Sequence, residues 1–233
     1  MSSIKYSSTN LWRAVQSSQV NKMTSQSSQP FEFPANFFRR EDGSSDRYFY
    51  ENPRFVTHID DGTIEALTTF YEEVIPENAK ILDLMSSWIS HLPSNGKYDE
   101  VYGLGMNQEE LENNPHLTET LVHDLNSTPT TTLPSNFFDI ALCAVSVQYL
   151  TQPVEVFREV GRTLKSGGLF IVSFSHRMFP TKAVEVWKSL GTEDRTQLVG
   201  AYFQISELFD EPTLVKREPT KADPLWIVFA TKK

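Results

Sequence analysis
From Lys80 onward, short apolar runs rich in β-branched residues alternate with stretches whose apolar residues recur at helical spacing, and few folds accommodate that pattern. Residues 80–85, 100–104, 120–123, 138–147 and 169–174 read as strands. Their nearly continuous apolar character is that of strands covered on both faces. Asn107 and Glu110 are placed to open a helix as N-cap and capping-box partner. Val154, Val156, Phe157, Val160 and Leu164 share one face of a second helix, which Ser166-Gly167-Gly168 is expected to end in a left-handed cap. Further helices are expected over 63–74, 182–190 and 196–208. Two closing strands, 213–218 and 226–231, have no helix between them and predict an antiparallel edge. The chain is therefore expected to be α/β, with a doubly wound, mostly parallel sheet.

The N-terminal part differs in composition. Residues 1–30 are rich in Ser and Gln, with Lys5, Arg13 and Lys22 but no acid. Such a segment is expected to be a disordered tail, or alternatively an organelle transit peptide. Residues 31–75 bring a run of aromatic residues, Phe31 to Phe55, and then a helix, and are expected to form an arm on the main body, 76–233. A net charge of −9 gives no general attraction to nucleic acid or anionic lipid, so neither is expected as a partner. A single cysteine, Cys143, lies in an apolar run and reads as core. No run approaches the ~18 apolar residues of a membrane span, and a cytoplasmic location is expected, or mitochondrion or plastid if residues 1–30 are a transit peptide.

In a doubly wound sheet, ligands bind beyond the carboxyl ends of the strands, where strand order reverses. The residues to weigh are therefore 83–90, 103–107, 124–126 and 146–149. The chain has no Gly-x-Gly-x-x-Gly, which argues against a dinucleotide oxidoreductase, and neither a Walker loop nor a Gly-x-Ser-x-Gly elbow. His58, His91, His116, His123 and His176 have no metal-ligand spacing, so no metal site is expected.

Several phrases carry a resemblance: Ile81-Leu-Asp-Leu84, Asp124-Leu-Asn126, Phe137-Phe-Asp-Ile-Ala-Leu-Cys143 and Leu164-Lys-Ser-Gly-Gly-Leu-Phe-Ile-Val172. In these the chain resembles the class I S-adenosylmethionine (SAM)-dependent methyltransferases of the type 11 group over about 75–177. It is also similar to a plant and bacterial subgroup that keeps Asp-Leu-Met-Ser-Ser-Trp and Gly-Leu-Gly-Met-Asn. The resemblance implies a seven-stranded Rossmann-like sheet, SAM as cofactor, and methyl transfer to a small molecule. An inactive methyltransferase-like binding or assembly protein, with a protein partner, is the alternative.

Asp83 matches the family's acidic residue at the first strand end. Met85, Ser86 and Ser87 stand where a glycine-rich turn is usual, with the serines also placed to start a helix. Gly105, beside Met106 and Asn107, occupies the position of the acid that holds the ribose hydroxyls. Asp124, Leu125 and Asn126 match the adenine side, and Ser146 faces the sulfonium side. His58, His176 and Tyr149 are candidate catalytic residues: a neutral imidazole can take a proton from an acceptor, and Tyr149 is placed to line the substrate pocket. Arg177 and Lys182 are candidates for binding an acidic substrate, or alternatively solvated surface charges.

Overall fold
The computed structural model describes residues 33–34 and 36–233, so the expected tail or transit peptide at 1–30 lies outside the described residues. Seven strands form one sheet: β1 (Lys80–Ser86), β2 (Glu100–Gly105), β3 (Glu119–Val122), β4 (Phe138–Ala144), β5 (Leu164–Phe174), β6 (Thr213–Arg217) and β7 (Leu225–Thr231). Their order is β3-β2-β1-β4-β5-β7-β6. The first five are mutually parallel, and β7 runs antiparallel between β5 and β6. Strand order reverses between β1 and β4, and the ligand-binding end of such a sheet lies there.

Helices cover both faces. On one, α2 (Asp61–Val74), capped by Asp60, buries Leu67, Phe70 and Tyr71 against Ile81, Ile140, Ile171 and Ile227. On the other lie α4 (Pro153–Thr163) and α6 (Thr192–Ser206). There the Phe157 ring sits 4.9 Å from Phe170, 4.8 Å from Phe203 and 5.5 Å from Tyr202. Burying an aromatic side chain contributes roughly 1.5–3 kcal/mol, so this ring cluster is a principal anchor of that layer. Short helices α1 (Asp46–Phe49), α3 (Gln108–Glu112) and α5 (Glu185–Ser189) complete the set. No described helix is long and apolar enough to cross a membrane.

The N-terminal arm is tied down by backbone and charge. The amides of Glu185 and Val186 donate to the carbonyls of Arg39 and Phe37 at 2.8 and 2.9 Å. Lys182 is 1% exposed, with Nζ 2.9 Å from Asp42 and 3.2 Å from Asp46, which also pairs with Arg40 at 2.8 Å. Lys182 is thus a buried strut under the arm.

Three local expectations differ from the structure. Residues 87–99, between β1 and β2, form an irregular connection with no helix, so Ser86 and Ser87 cap nothing. Side chains there satisfy the backbone instead: Asn114 Nδ2 donates to the Ser87 carbonyl at 2.9 Å and to Ser90 Oγ at 2.8 Å. Such bonds compete with a helical ladder. Next, α4 passes straight into β5 at Leu164, and Gly167, at φ 80°, makes its left-handed turn inside the strand, opposite a register shift in β4. Finally, β4 stops at Ala144 because Val145 turns to φ 52°, and a 3₁₀ turn (Val147–Tyr149) follows.

Candidate active site
At the end of β1, Leu84 pairs with Leu104 and Ser86 with Gly105, leaving Met85 as a bulge with φ 55°. Met85 thus adopts the left-handed backbone that glycine supplies in a glycine-rich turn, at about 1–2 kcal/mol for a residue with a Cβ. The bulge drives the Ser86 carbonyl against β2. A Cβ on Gly105 would overlap that oxygen, lie 3.3 Å from the carbonyl carbon and 3.0 Å from Leu111 Cδ2. No side chain fits at 105 while Met85 bulges. The missing glycines and the missing acid are one structural fact.

Below the bulge, Asp83 is 2% exposed, and Ser86 Oγ and Ser90 Oγ each donate to its Oδ2 at 2.6 Å. Burial pushes its carboxyl up to about 6, the two hydroxyls opposing. The raised pKa means that the folded protein holds an extra proton between about pH 4 and 6. Stability from this group is present below pH 4 and lost as pH rises through 6, by about 3 kcal/mol. Asp83→Asn, whose amide oxygen can still accept both hydroxyls, is expected to be more stable than wild type by about 2–3 kcal/mol at pH 7.5. The gain should vanish near pH 4. Urea unfolding at both pH values checks this; a pH-independent difference would contradict the buried-carboxylate account.

Beyond β2, Asn107 accepts the Glu110 amide at 3.1 Å as N-cap of α3, and its Nδ2 donates to the Tyr50 carbonyl at 2.9 Å. The reciprocal half of the capping box is not made. The Glu110 carboxylate instead accepts the Arg54 amide at 2.7 Å and Ser87 Oγ at 2.6 Å. After β3, Asp124 Oδ1 accepts the Asn126 amide at 3.0 Å. Asn126 Nδ2 donates to Asp46 Oδ2 at 2.8 Å and to the Tyr149 carbonyl at 2.9 Å. Ser146 Oγ lies 3.3 Å from the buried Cys143 Sγ, whose thiol burial pushes up to about 12.

These strand ends and the arm enclose an open cleft. All the cofactor-side candidates line it: Asp83, Met85, Ser86, Ser87, Gly105, Met106, Asn107, Asp124, Leu125, Asn126 and Ser146. His58 and Tyr149 line it too. The Tyr149 hydroxyl accepts the Phe179 amide at 2.9 Å, and the His58 ring lies 5.4 Å from the Phe179 ring. Burial lowers the His58 pKa, against Glu110, which raises it. His176 does not line the cleft; its half-exposed ring sits 3.5 Å from Asp223, which also pairs with Arg177.

Tyr50, Arg54, His91 and Phe179 join the cleft without having been marked by their sequence neighbourhood. His91 is 8% exposed at φ 57°, with an Nδ1 that has no hydrogen-bond partner. Burial, and then His58, push its pKa down to about 4, so it is neutral at physiological pH. Only its presence in the β1–β2 connection, next to the strand end, was available as a signal.

A methyltransferase domain model, type 11, matches residues 86–172. No curated protein matches the chain. Among solved structures, a SAM-dependent methyltransferase from Aquifex aeolicus aligns at TM-score 0.51 and 16% identity, covering 75% of this chain and 99% of that one. A Pyrococcus horikoshii OT3 protein aligns at 0.53 and 15%, covering 82% and 100%. A chain from the Haloferax volcanii complex between the Trm112 methyltransferase activator and a methyltransferase aligns at 0.50 and 13%, covering 74% and 94%. At such identities the structures speak for the fold, and the domain match speaks for the sequence. This chain has the fold of the SAM-dependent methyltransferase from Aquifex aeolicus, and its residues 86–172 match the type 11 methyltransferase domain model.

Proposed function
We propose that this protein is a SAM-dependent methyltransferase acting on a small molecule. The observation that carries this reading is the convergence of every cofactor-side candidate, drawn from four strand ends, on one cleft at the switch point of the sheet. The residues also fit the ligand. Asp83, Glu110 and Asp124 bring acidic groups toward a cofactor whose sulfonium and ammonium are cationic. Small residues at 86, 87 and 105 permit close approach to the backbone. Bound SAM supplies an electrophilic methyl group.

The chain's own part is alignment and a dry surface. Tyr50, Arg54 and His58 line the cleft from the arm, and Phe179 lines it from the segment after β5. His58, held neutral by burial, is the proposed proton acceptor, and Tyr149 the group that orients the acceptor. His176, outside the cleft, takes no part in this reading.

Calorimetric titration with SAM and S-adenosylhomocysteine tests it. Binding of both is expected in the micromolar range; an absence of heat at several hundred micromolar ligand would sink the reading.

A further inference from the structure
Arg54 stands at the cleft with its bonding incomplete. Its guanidinium lies over the Phe49 ring, 4.3 Å from the centroid, and 5.8 Å from that of Tyr50. Its backbone amide is held by Glu110. Its Nη1, however, is buried and has no hydrogen-bond partner. Buried polar groups are almost always paired, and a guanidinium in that state is a group to which a ligand brings the missing acceptor.

The charges around it give the ligand's sign. Asp46, Asp83, Glu110 and Asp124 line the same cleft, and Arg54 is the one lysine or arginine among the described residues that line it. Burial holds the pKa of His58 and His91 down, so neither adds positive charge at neutral pH. Nor does the backbone supply any at the end of β1. Residues 87–99 contain no helix, so no helix N-terminus offers free amides or a dipole to an anion there. Arg54 is close to that strand end, because the Glu110 carboxylate that takes its amide also takes the Ser87 hydroxyl.

We propose that Arg54 anchors the carboxylate of the methionine half of SAM, replacing the helix start that the β1–β2 connection lacks. The proposal rests on the cleft being a SAM site. A guanidinium suits the task, since its planar fork binds a carboxylate through two parallel hydrogen bonds. The cofactor's ammonium group is left to the surrounding acids.

The test compares wild type, Arg54→Gln and Arg54→Lys in binding S-adenosylhomocysteine and 5′-methylthioadenosine, which lacks the amino-acid end. Arg54→Gln is expected to weaken S-adenosylhomocysteine about ten- to a hundredfold, the worth of a charged hydrogen bond. Arg54→Lys should recover part of that, and 5′-methylthioadenosine should bind all three proteins alike. Unchanged S-adenosylhomocysteine binding in Arg54→Gln overturns the anchor, and points the guanidinium to an acceptor's anion instead. Equal losses for both ligands overturn it too, because the arm would then have moved as a whole. A wild-type protein that binds neither ligand overturns the SAM reading itself, and the anchor with it.

Discussion

Gly105→Asp, which restores the acid of the resembled family, is expected to destabilise the protein by about 4 kcal/mol and to weaken S-adenosylhomocysteine binding. The cause is the bulge at Met85. It places the Ser86 carbonyl where the new Cβ must go, with Leu111 closing the other side. Backbone cannot swing aside as a long side chain can, so the overlap costs about 1–3 kcal/mol in displaced strands. A carboxylate forced against a carbonyl oxygen adds about 1–3 kcal/mol more for want of a donor. In a chain of 233 residues that sum lowers the melting temperature by about 10 °C. Gly105→Ala isolates the steric part and should show roughly half the loss. Adding Met85→Gly should not rescue either variant, because the obstacle is the Ser86 carbonyl and not the Met85 side chain. Calorimetric melting with a binding isotherm decides the matter. A Gly105→Asp protein that melts like wild type and binds more tightly would show that β1 and β2 are not locked together in this way.

The same residues show what the sequence could and could not tell. The sheet was legible because its signal is local: each strand is a short apolar run, and its neighbours repeat the pattern. Asn107 was legible as an N-cap for the same reason, since its partner is only three residues away. Met85 was not. Nothing in Met-Ser-Ser-Trp announces a left-handed residue, because the conformation is imposed by pairing with β2 and by the two serines gathered onto Asp83. Trp88 ties the same connection outward, donating to the Val56 carbonyl at 3.1 Å. These contacts, together with those of Asn114, hold residues 87–99 in the shape that a helix was expected to fill. The serine-for-glycine and glycine-for-acid departures were both visible, but their common cause was not. Arg54 and His91 were missed on the same principle, since each owes its place to a segment distant in sequence. Lys182 was visible as a cation but misjudged, because its acids lie about 140 positions earlier.

Lys182→Met is expected to cost about 3–5 kcal/mol, the usual consequence of removing one partner from a buried ion cluster. Lys182 Nζ sits between Asp42 and Asp46, donates to the Ser44 carbonyl at 3.1 Å, and lies 5.3 Å from the Phe49 ring centroid. Methionine fills the space but returns none of these bonds, leaving Asp46 with Arg40 and Asn126 alone. The damage should reach the cleft. Asp46 accepts from Asn126, and α1 carries Phe49, on which Arg54 stacks, so the variant should also bind S-adenosylhomocysteine more weakly. The pH dependence separates charge from packing. Burial raises the Asp46 pKa, but Arg40, Asn126 and Lys182 outweigh it and hold the carboxyl below its ordinary value. A depressed carboxyl stabilises the fold above about pH 4, and that stability is lost as pH falls through the folded-state value. The deficit of Lys182→Met should therefore be full at pH 7 and shrink below pH 4. Adding Asp46→Asn should not recover it at pH 7, because the buried Arg40 then loses the carboxylate it pairs with. Urea titrations of the two variants and wild type at pH 7 and 3.5 read all three effects. A loss under 1 kcal/mol at pH 7, or one of equal size at both pH values, would mean that packing rather than charge holds the arm against the cleft.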